Sequence, residues 1–340
     1  MIRRLRTIDA HVAGEPLRLI IEGFPRPVGQ TMLEKREWLR RRHDRLRRAL
    51  MHEPRGHRDM YGAVLTEPVT EGSHAGVLFM HHEGYSTMCG HGVIGVVTIA
   101  LERGLLTLSD WTAEIRLDTP AGLVKASVNR NQGSGARDQE IGTVRSVSFT
   151  NVPSFVLKAG LAIKAGKRSL VTDVVFGGAF YAIVDSEAAG IPLRSACLPE
   201  LLRLAGEIKV AVERALPVVH PLERGLNGIY GTIFTSVANA PGADLRNATV
   251  FADGQVDRSP CGTGTAAIMA VLASMGLLAA DRPFVNESLI GTLFTGRVVG
   301  RTSVGDLAAI VPELEGSAWI TGEHTFCIDD DDPLRDGFTI

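Results

Sequence analysis

Two short segments of this chain set a cysteine among glycines at the same spacing: Met88-Cys89-Gly90-His91-Gly92 and Pro260-Cys261-Gly262-Thr263-Gly264. The cysteines lie 172 residues apart, about half of the 340-residue chain. At that offset Cys89/Cys261, Gly90/Gly262, Gly92/Gly264, Gly104/Gly276, Leu105/Leu277 and Leu106/Leu278 are identical, six matches in eighteen positions. Self-similarity at a fixed period is the mark of a repeated unit. Each copy reads as strand, loop, Cys-Gly-x-Gly, buried helix and glycine stop.

A cysteine at a helix start has a particular chemistry. The unpaired N–H groups there carry partial positive charge and favour the thiolate, which lowers the thiol from about 8.5 into a range of roughly 3.5–7.5. Glycines let the same N–H groups approach a carboxylate or phosphate closely. Two such helix starts facing each other would hold an anion between two thiols. One thiolate could take a proton from a carbon while the opposite thiol supplies one, which inverts a stereocentre without a cofactor. Such a pair rests with one shared proton and titrates as a unit. Cys197 and Cys327 have no glycine context and read as structural.

Two other readings compete. Gly90, Gly92 and Gly95 fit GxGxxG, with Asp110 twenty residues beyond Gly90, and Gly262, Gly264 and Ala267 fit GxGxxA. That is the spacing of a dinucleotide-binding dehydrogenase. It leaves the cysteine before the first glycine unexplained in both copies. A non-catalytic amino-acid-binding protein would bind the same ligand without breaking its Cα–H bond.

Composition narrows the field. With 36 basic and 38 acidic residues the formal charge is -2, which disfavours a nucleic-acid binder that relies on bulk electrostatics. Four scattered cysteines make no disulfide framework, and without a CxxC or HExxH spacing no metal or other cofactor is expected. Asp9 and His11 break the apolar stretch a signal peptide needs, and the longest apolar runs, 93–101 and 266–273, are too short to span a membrane. A soluble cytoplasmic protein is the expectation.

The elements that must position the cysteines follow. A helix begins at a Thr31/Glu34 capping box, turns Met32, Leu39, Leu46 and Leu50 to one side, and stops before Pro54 and Gly56. Its many arginines read as a solvated face with Glu34, Glu37 and Asp44 as local partners. Strands are expected at 77–80, 115–117, 123–128 and 249–252, and helices at 92–103, 201–216 and 264–274. The loop-like stretch 129–140 reads as the domain boundary.

At the two cysteine blocks, the second extended as Asp257-Arg258-Ser259-Pro260-Cys261-Gly262-Thr263-Gly264, the chain resembles the proline racemase superfamily. This superfamily includes hydroxyproline 2-epimerases and trans-3-hydroxyproline dehydratases. Glu53-Pro54-Arg55-Gly56-His57 and Asp332-Pro333-Leu334-Arg335-Asp336-Gly337-Phe338 add to the resemblance, which runs from about Ile8 to the C-terminus. It implies an α/β (α+β) fold shared with diaminopimelate epimerase. Two pseudo-symmetric domains, each a curved sheet around a central helix, would flank an active site in the interdomain cleft. The domains would be 1–138, with 327–340 returning to it, and 139–326.

By the resemblance, Cys89 and Cys261 are the paired acid/base thiols, and His91 and Asp257 lie near the substrate amine. Gly90, Gly262 and Thr263 receive the carboxylate, and Tyr61 forms an aromatic pocket wall. A proline-type amino acid is the implied substrate and a homodimer the implied assembly. The cysteine pair resembles a racemase or epimerase, since the dehydratases commonly replace one cysteine with Thr or Ser. Gly56-His57-Arg58-Asp59-Met60-Tyr61-Gly62, Gly177-Gly178-Ala179-Phe180-Tyr181-Ala182 and the stretch 329–338 look more like the dehydratase branch. Racemisation or epimerisation leads, and dehydration is the alternative.

Overall fold

The computed structural model describes residues 2–108, 114–130, 143–252, 254–278 and 282–339. It divides into two units, Met1–Phe149 with Glu315–Ile340, and Thr150–Leu314. The boundary expected at 138/139, and Asp110, fall outside the described residues.

The first unit opens with β1 (Ile2–Val12), β2 (Glu15–Glu22), α1 (Met32–Arg42) and α2 (Asp44–Met51). Next come β3 (Tyr61–Thr66), β4 (Ala75–His81), α3 (Gly90–Glu102), β5 (Ile115–Thr119), β6 (Gly122–Arg130) and β7 (Val144–Thr150). The second carries β8 (Ser154–Ala165), β9 (Arg168–Phe176), β10 (Phe180–Asp185), α4 (Leu198–Ala215), β11 (Gly231–Ser236) and β12 (Leu245–Phe251). It continues with β13 (Gln255–Val256), α5 (Gly262–Ser274), β14 (Phe284–Glu287), β15 (Leu293–Val304) and β16 (Leu307–Gly316). Strand β17 (Ala318–Asp329) pairs antiparallel with β1.

The repeat seen in sequence extends to topology. Parallel β2–β3, antiparallel β3–β4, parallel β4–β5 and antiparallel β5–β6 recur as β10–β11, β11–β12, β12–β14 and β14–β15. Small polar contacts recur with it. The buried Asp118 carboxylate accepts from the Val69 and Thr70 amides (2.7 and 2.8 Å), and buried Glu287 accepts from those of Asn239 and Ala240 (2.6 and 2.9 Å). Each carboxylate lies at or next to the end of the strand that runs parallel to β4 or β12, and each closes a loop outside the ladders.

Each unit is built around one apolar helix. From Gly90 to Leu101 every residue of α3 is buried, and so is α5 from Gly262 to Ala270. A helix apolar on all sides needs cover on all sides, which the sheet supplies. On the far face of the first sheet, Met32, Leu39, Leu46, Leu50 and Met51 of α1 and α2 pack against Leu78 and Met80. Phe79, between them in β4, faces α3 instead, as strand alternation requires.

Close helix–strand approach is solved differently in the two units. In the first the glycine is on the helix: a Cβ at Gly95 would meet Leu17 Cδ2 at 2.5 Å. In the second it is on the sheet side, where a Cβ at Gly177 would enter the Thr263 carbonyl oxygen and meet the Ala267 amide. Ala267 is the repeat partner of Gly95.

The single helix expected after Thr31 is two. It breaks at His43 (φ -137°), and the capping box at Thr31 and Glu34 is formed. Glu37 pairs with Arg40 and Arg41 at the surface, as expected of a solvated face. Arg47 departs from that expectation. It is buried, pairs with Asp44 at 2.7 Å, and donates to the carbonyls of His81 and His82. Among the described residues no helix is long and apolar enough to cross a membrane.

Candidate active site

Both cysteines are helix N-caps. Cys89 precedes α3 and accepts from the Gly92 amide at 3.2 Å, while Cys261 precedes α5 and accepts from the Gly264 amide at 3.3 Å. Gly90 and Gly262 are the first helical residues, buried against their units. Each sulfur thus takes up one of the donors that a helix start leaves unpaired. Both thiols are nearly enclosed, at 5% and 6% exposure.

Around Cys89 the side-chain neighbour is an imidazole. His91 Nδ1 lies 3.2 Å from the sulfur. Burial pulls the His91 imidazole down to about 3, so the ring is neutral, and it hydrogen-bonds the Pro16 carbonyl. A neutral imidazole has one N–H to give. That one N–H goes to the Pro16 carbonyl. Tyr61 sets its ring edge-on to His91 at 4.7 Å and bonds Ser86 through its hydroxyl.

Around Cys261 the partners are a carboxylate and hydroxyls. The thiol hydrogen-bonds Asp257. Asp257 Oδ1 accepts from the Ser259 amide (2.8 Å) and hydroxyl (2.7 Å), and Ser259 Oγ accepts from the Cys261 amide (3.1 Å). Burial raises Asp257 to about 6. Thr263 Oγ1 is 3.7 Å from the sulfur and 2.6 Å from the Tyr181 hydroxyl.

The helix start was expected to lower the thiols, and at Cys261 the outcome is opposite. The Gly264 amide and Thr263 do pull toward thiolate, but burial, and after it the Asp257 charge, push the thiol far above its ordinary value. Desolvation of an anion outweighs one partial dipole. Cys261 therefore rests as a thiol.

The predicted residues fall into two groups: Tyr61, Cys89, Gly90 and His91 in the first unit, and Asp257, Cys261, Gly262 and Thr263 in the second. Tyr181, Ser86 and Ser259 are the neighbours that were not singled out. Tyr181 lies in the Gly177–Ala182 stretch, and it is the tertiary placement of β10 that sets its hydroxyl against Thr263 of α5. The glycines of the GxGxxG spacing serve packing: Gly92 sits against Phe79, and Gly95 against Leu17. Cys197 and Cys327 are not core filling. Cys327 is exposed on β17, and half-buried Cys197 accepts from Arg194 Nε at 3.4 Å. Among the described residues no cluster of His, Cys, Asp and Glu is placed to hold a metal ion.

Comparison with known proteins places the chain in a family. The family model "Proline racemase" matches residues 7–339. A trans-3-hydroxy-L-proline dehydratase from Bacillus cereus is 46% identical over 98% of this chain and 97% of its own length. A proline racemase from Acetoanaerobium sticklandii is 40% identical over 99% of this chain and 98% of its own. The crystal structure of a hydroxyproline epimerase from Agrobacterium vitis, with bound trans-4-hydroxy-L-proline, superposes with a TM-score of 0.89 at 30% identity. That match covers 99% of this chain and 96% of the epimerase. By family model, by identity along its whole length and by fold, this chain belongs to the proline racemase family.

Proposed function

We propose that the chain catalyses cofactor-independent racemisation or epimerisation at Cα of proline or a hydroxyproline, with Cys89 and Cys261 as its two acid/base groups. The observation that carries this is the matched pair of N-cap thiols, one on the central helix of each unit, each accepting from the amide three residues on. Inversion needs a base on one face of Cα and an acid on the other. Cys261 rests protonated, so Cys89 is assigned the first base. It takes the Cα proton while the Cys261 thiol gives its own to the opposite face, and the pair ends with its single proton moved. The return reaction resets it.

The remaining groups bind. The first-turn amides at Gly90, Gly262 and Thr263 receive the carboxylate, where helix dipoles offset the charge that builds next to Cα. His91 and Asp257 take the ring nitrogen, and Tyr61 walls the ring. Incubation in D2O with L-proline and the 3- and 4-hydroxyprolines should exchange the Cα hydrogen of at least one. No exchange with any of them would overturn the reading.

The dehydratase relative at 46% identity favours a second reading. One thiolate would remove the Cα proton while the other thiol protonates the departing 3-hydroxyl. Water leaves and a 2,3-double bond forms. Chiral chromatography of the same samples separates the two: an inverted isomer marks the first, loss of substrate to an unsaturated ring the second.

A further inference from the structure

Beneath Cys261 the second unit buries polar side chains where the first is apolar. Asn247, Thr249, Thr265 and Asn286 are all fully buried. Their repeat partners are Val77, Phe79, Val93 and Leu117, buried as well. Strand register sets these matches: Leu245 pairs with Asn286 as Ala75 pairs with Leu117, while Thr265 and Val93 each stand four residues past their cysteine.

The first unit shows that an apolar cluster supports this topology, so the polar set is not there for the fold. It is costly too. Asn247 Oδ1 and Asn286 Oδ1 find no partner among the described residues, and an unmet buried acceptor costs about 1–3 kcal/mol.

What differs directly above is the backbone. Cys89 is extended (φ -147°, ψ 112°), whereas Cys261 is left-handed (φ 62°, ψ 110°). A non-glycine residue there is strained by roughly 1–3 kcal/mol and needs its surroundings to hold it. Both ends of the Pro260–Cys261 peptide are held. Its carbonyl accepts from Thr265 Oγ1 at 3.1 Å and Asn286 Nδ2 at 3.3 Å, and its amide donates to Ser259 Oγ at 3.1 Å. Asn286 Nδ2 also donates to Thr265 Oγ1 at 2.8 Å, which ties the two donors together.

We infer that Thr265 and Asn286 are positioning residues: they clamp the Pro260–Cys261 peptide in its left-handed setting and so aim the Cys261 thiol at Asp257. This rests on the reading of Cys261 as an acid/base group. The polar set in the second unit is the means by which a duplicated frame presents its two thiols differently.

The test installs the first unit's residues, Thr265→Val with Asn286→Leu, beside the conservative Thr265→Ser, which keeps the hydroxyl. The double variant should lose about tenfold or more in kcat with KM within about threefold, and Thr265→Ser should stay within about twofold. A second readout needs no substrate. Iodoacetamide labelling, resolved by mass spectrometry, should become about fivefold faster at Cys261, released from its buried place beside Asp257, and stay unchanged at Cys89. Unchanged kcat and labelling, or equal acceleration at both cysteines, would overturn the clamp. If no proline-type compound is turned over, the functional reading falls while the labelling contrast still decides this one. If the double variant does not fold, Cys261→Gly and Cys261→Ala decide it. Glycine should melt on the order of 2 °C higher than alanine at 261, and lower than alanine at 89. Equal or reversed order at 261 removes the strain and with it the clamp.

Discussion

The helix starts at Cys89 and Cys261 share a frame and differ in nearly everything that touches the sulfur. Both cap a central apolar helix and accept from the third amide onward. The first sulfur sits in extended backbone beside a neutral histidine, whose ring packs against Tyr61. The second sits in left-handed backbone beside a carboxylate, two hydroxyls and a buried polar layer. Duplication thus supplied the position of each thiol, and divergence supplied its environment. A ligand with a carboxylate, a ring nitrogen and a chiral carbon is not two-fold symmetric, and neither are the surroundings of the two thiols.

The comparison breaks most sharply if one thiol proves dispensable. Cys89→Ser and Cys261→Ser should each cut inversion by about a thousandfold or more, since serine stays protonated where a thiolate is needed. Chiral chromatography of each variant checks this. Retained inversion in either would end the two-base reading, while dehydration surviving in Cys261→Ser alone would favour the lyase.

The glycine exchange between helix and sheet gives the next largest effect. Gly177→Ala drives a methyl into backbone at Thr263 and should cost about 3 kcal/mol, whereas Gly95→Ala meets the movable end of Leu17 and should cost about 1 kcal/mol. Urea unfolding of both variants measures the difference. Equal costs would mean that the two interfaces yield alike.

Smaller, and of opposite sign, are the pH effects of the two buried partners. Folded Asp257 holds its proton up to about pH 6, whereas the unfolded carboxyl releases it near 4. The folded state therefore carries more protons in that window, and stability falls as pH rises through it. His91 at about 3 refuses a proton that the unfolded chain accepts near 6.5, so its contribution is lost as pH falls through that range. Asp257→Asn should then gain on the order of 2 kcal/mol over the parent at pH 7 and nothing at pH 4. His91→Gln should compare better with the parent at pH 4 than at pH 8. Melting curves at both pH values test the pair, and slopes of the same sign would contradict it.

Much of this was legible beforehand. The repeat offset, a cysteine at each helix start, the buried helices and the capping box at Thr31 are local or periodic features, and local chemistry writes them into the chain. The helix break at His43 was not legible, because the apolar stripe continues across it. Nor was the burial of Arg47, whose carbonyl partners at His81 and His82 lie over thirty residues away. Tyr181 sat in a noted stretch, yet its role depends on a tertiary placement that no window around it reveals.

The sequence by itself determined that a cysteine stands near the start of each apolar helix, since each Cys-Gly-x-Gly block runs straight into an apolar stretch; the structure begins the helices at Gly90 and Gly262, two residues before the expected 92 and 264, and so makes the cysteines their caps. Tertiary structure decided what each thiol is. The state of Cys261 depends on burial and on the charge of Asp257 beside it, and burial and field are properties of an assembled interior.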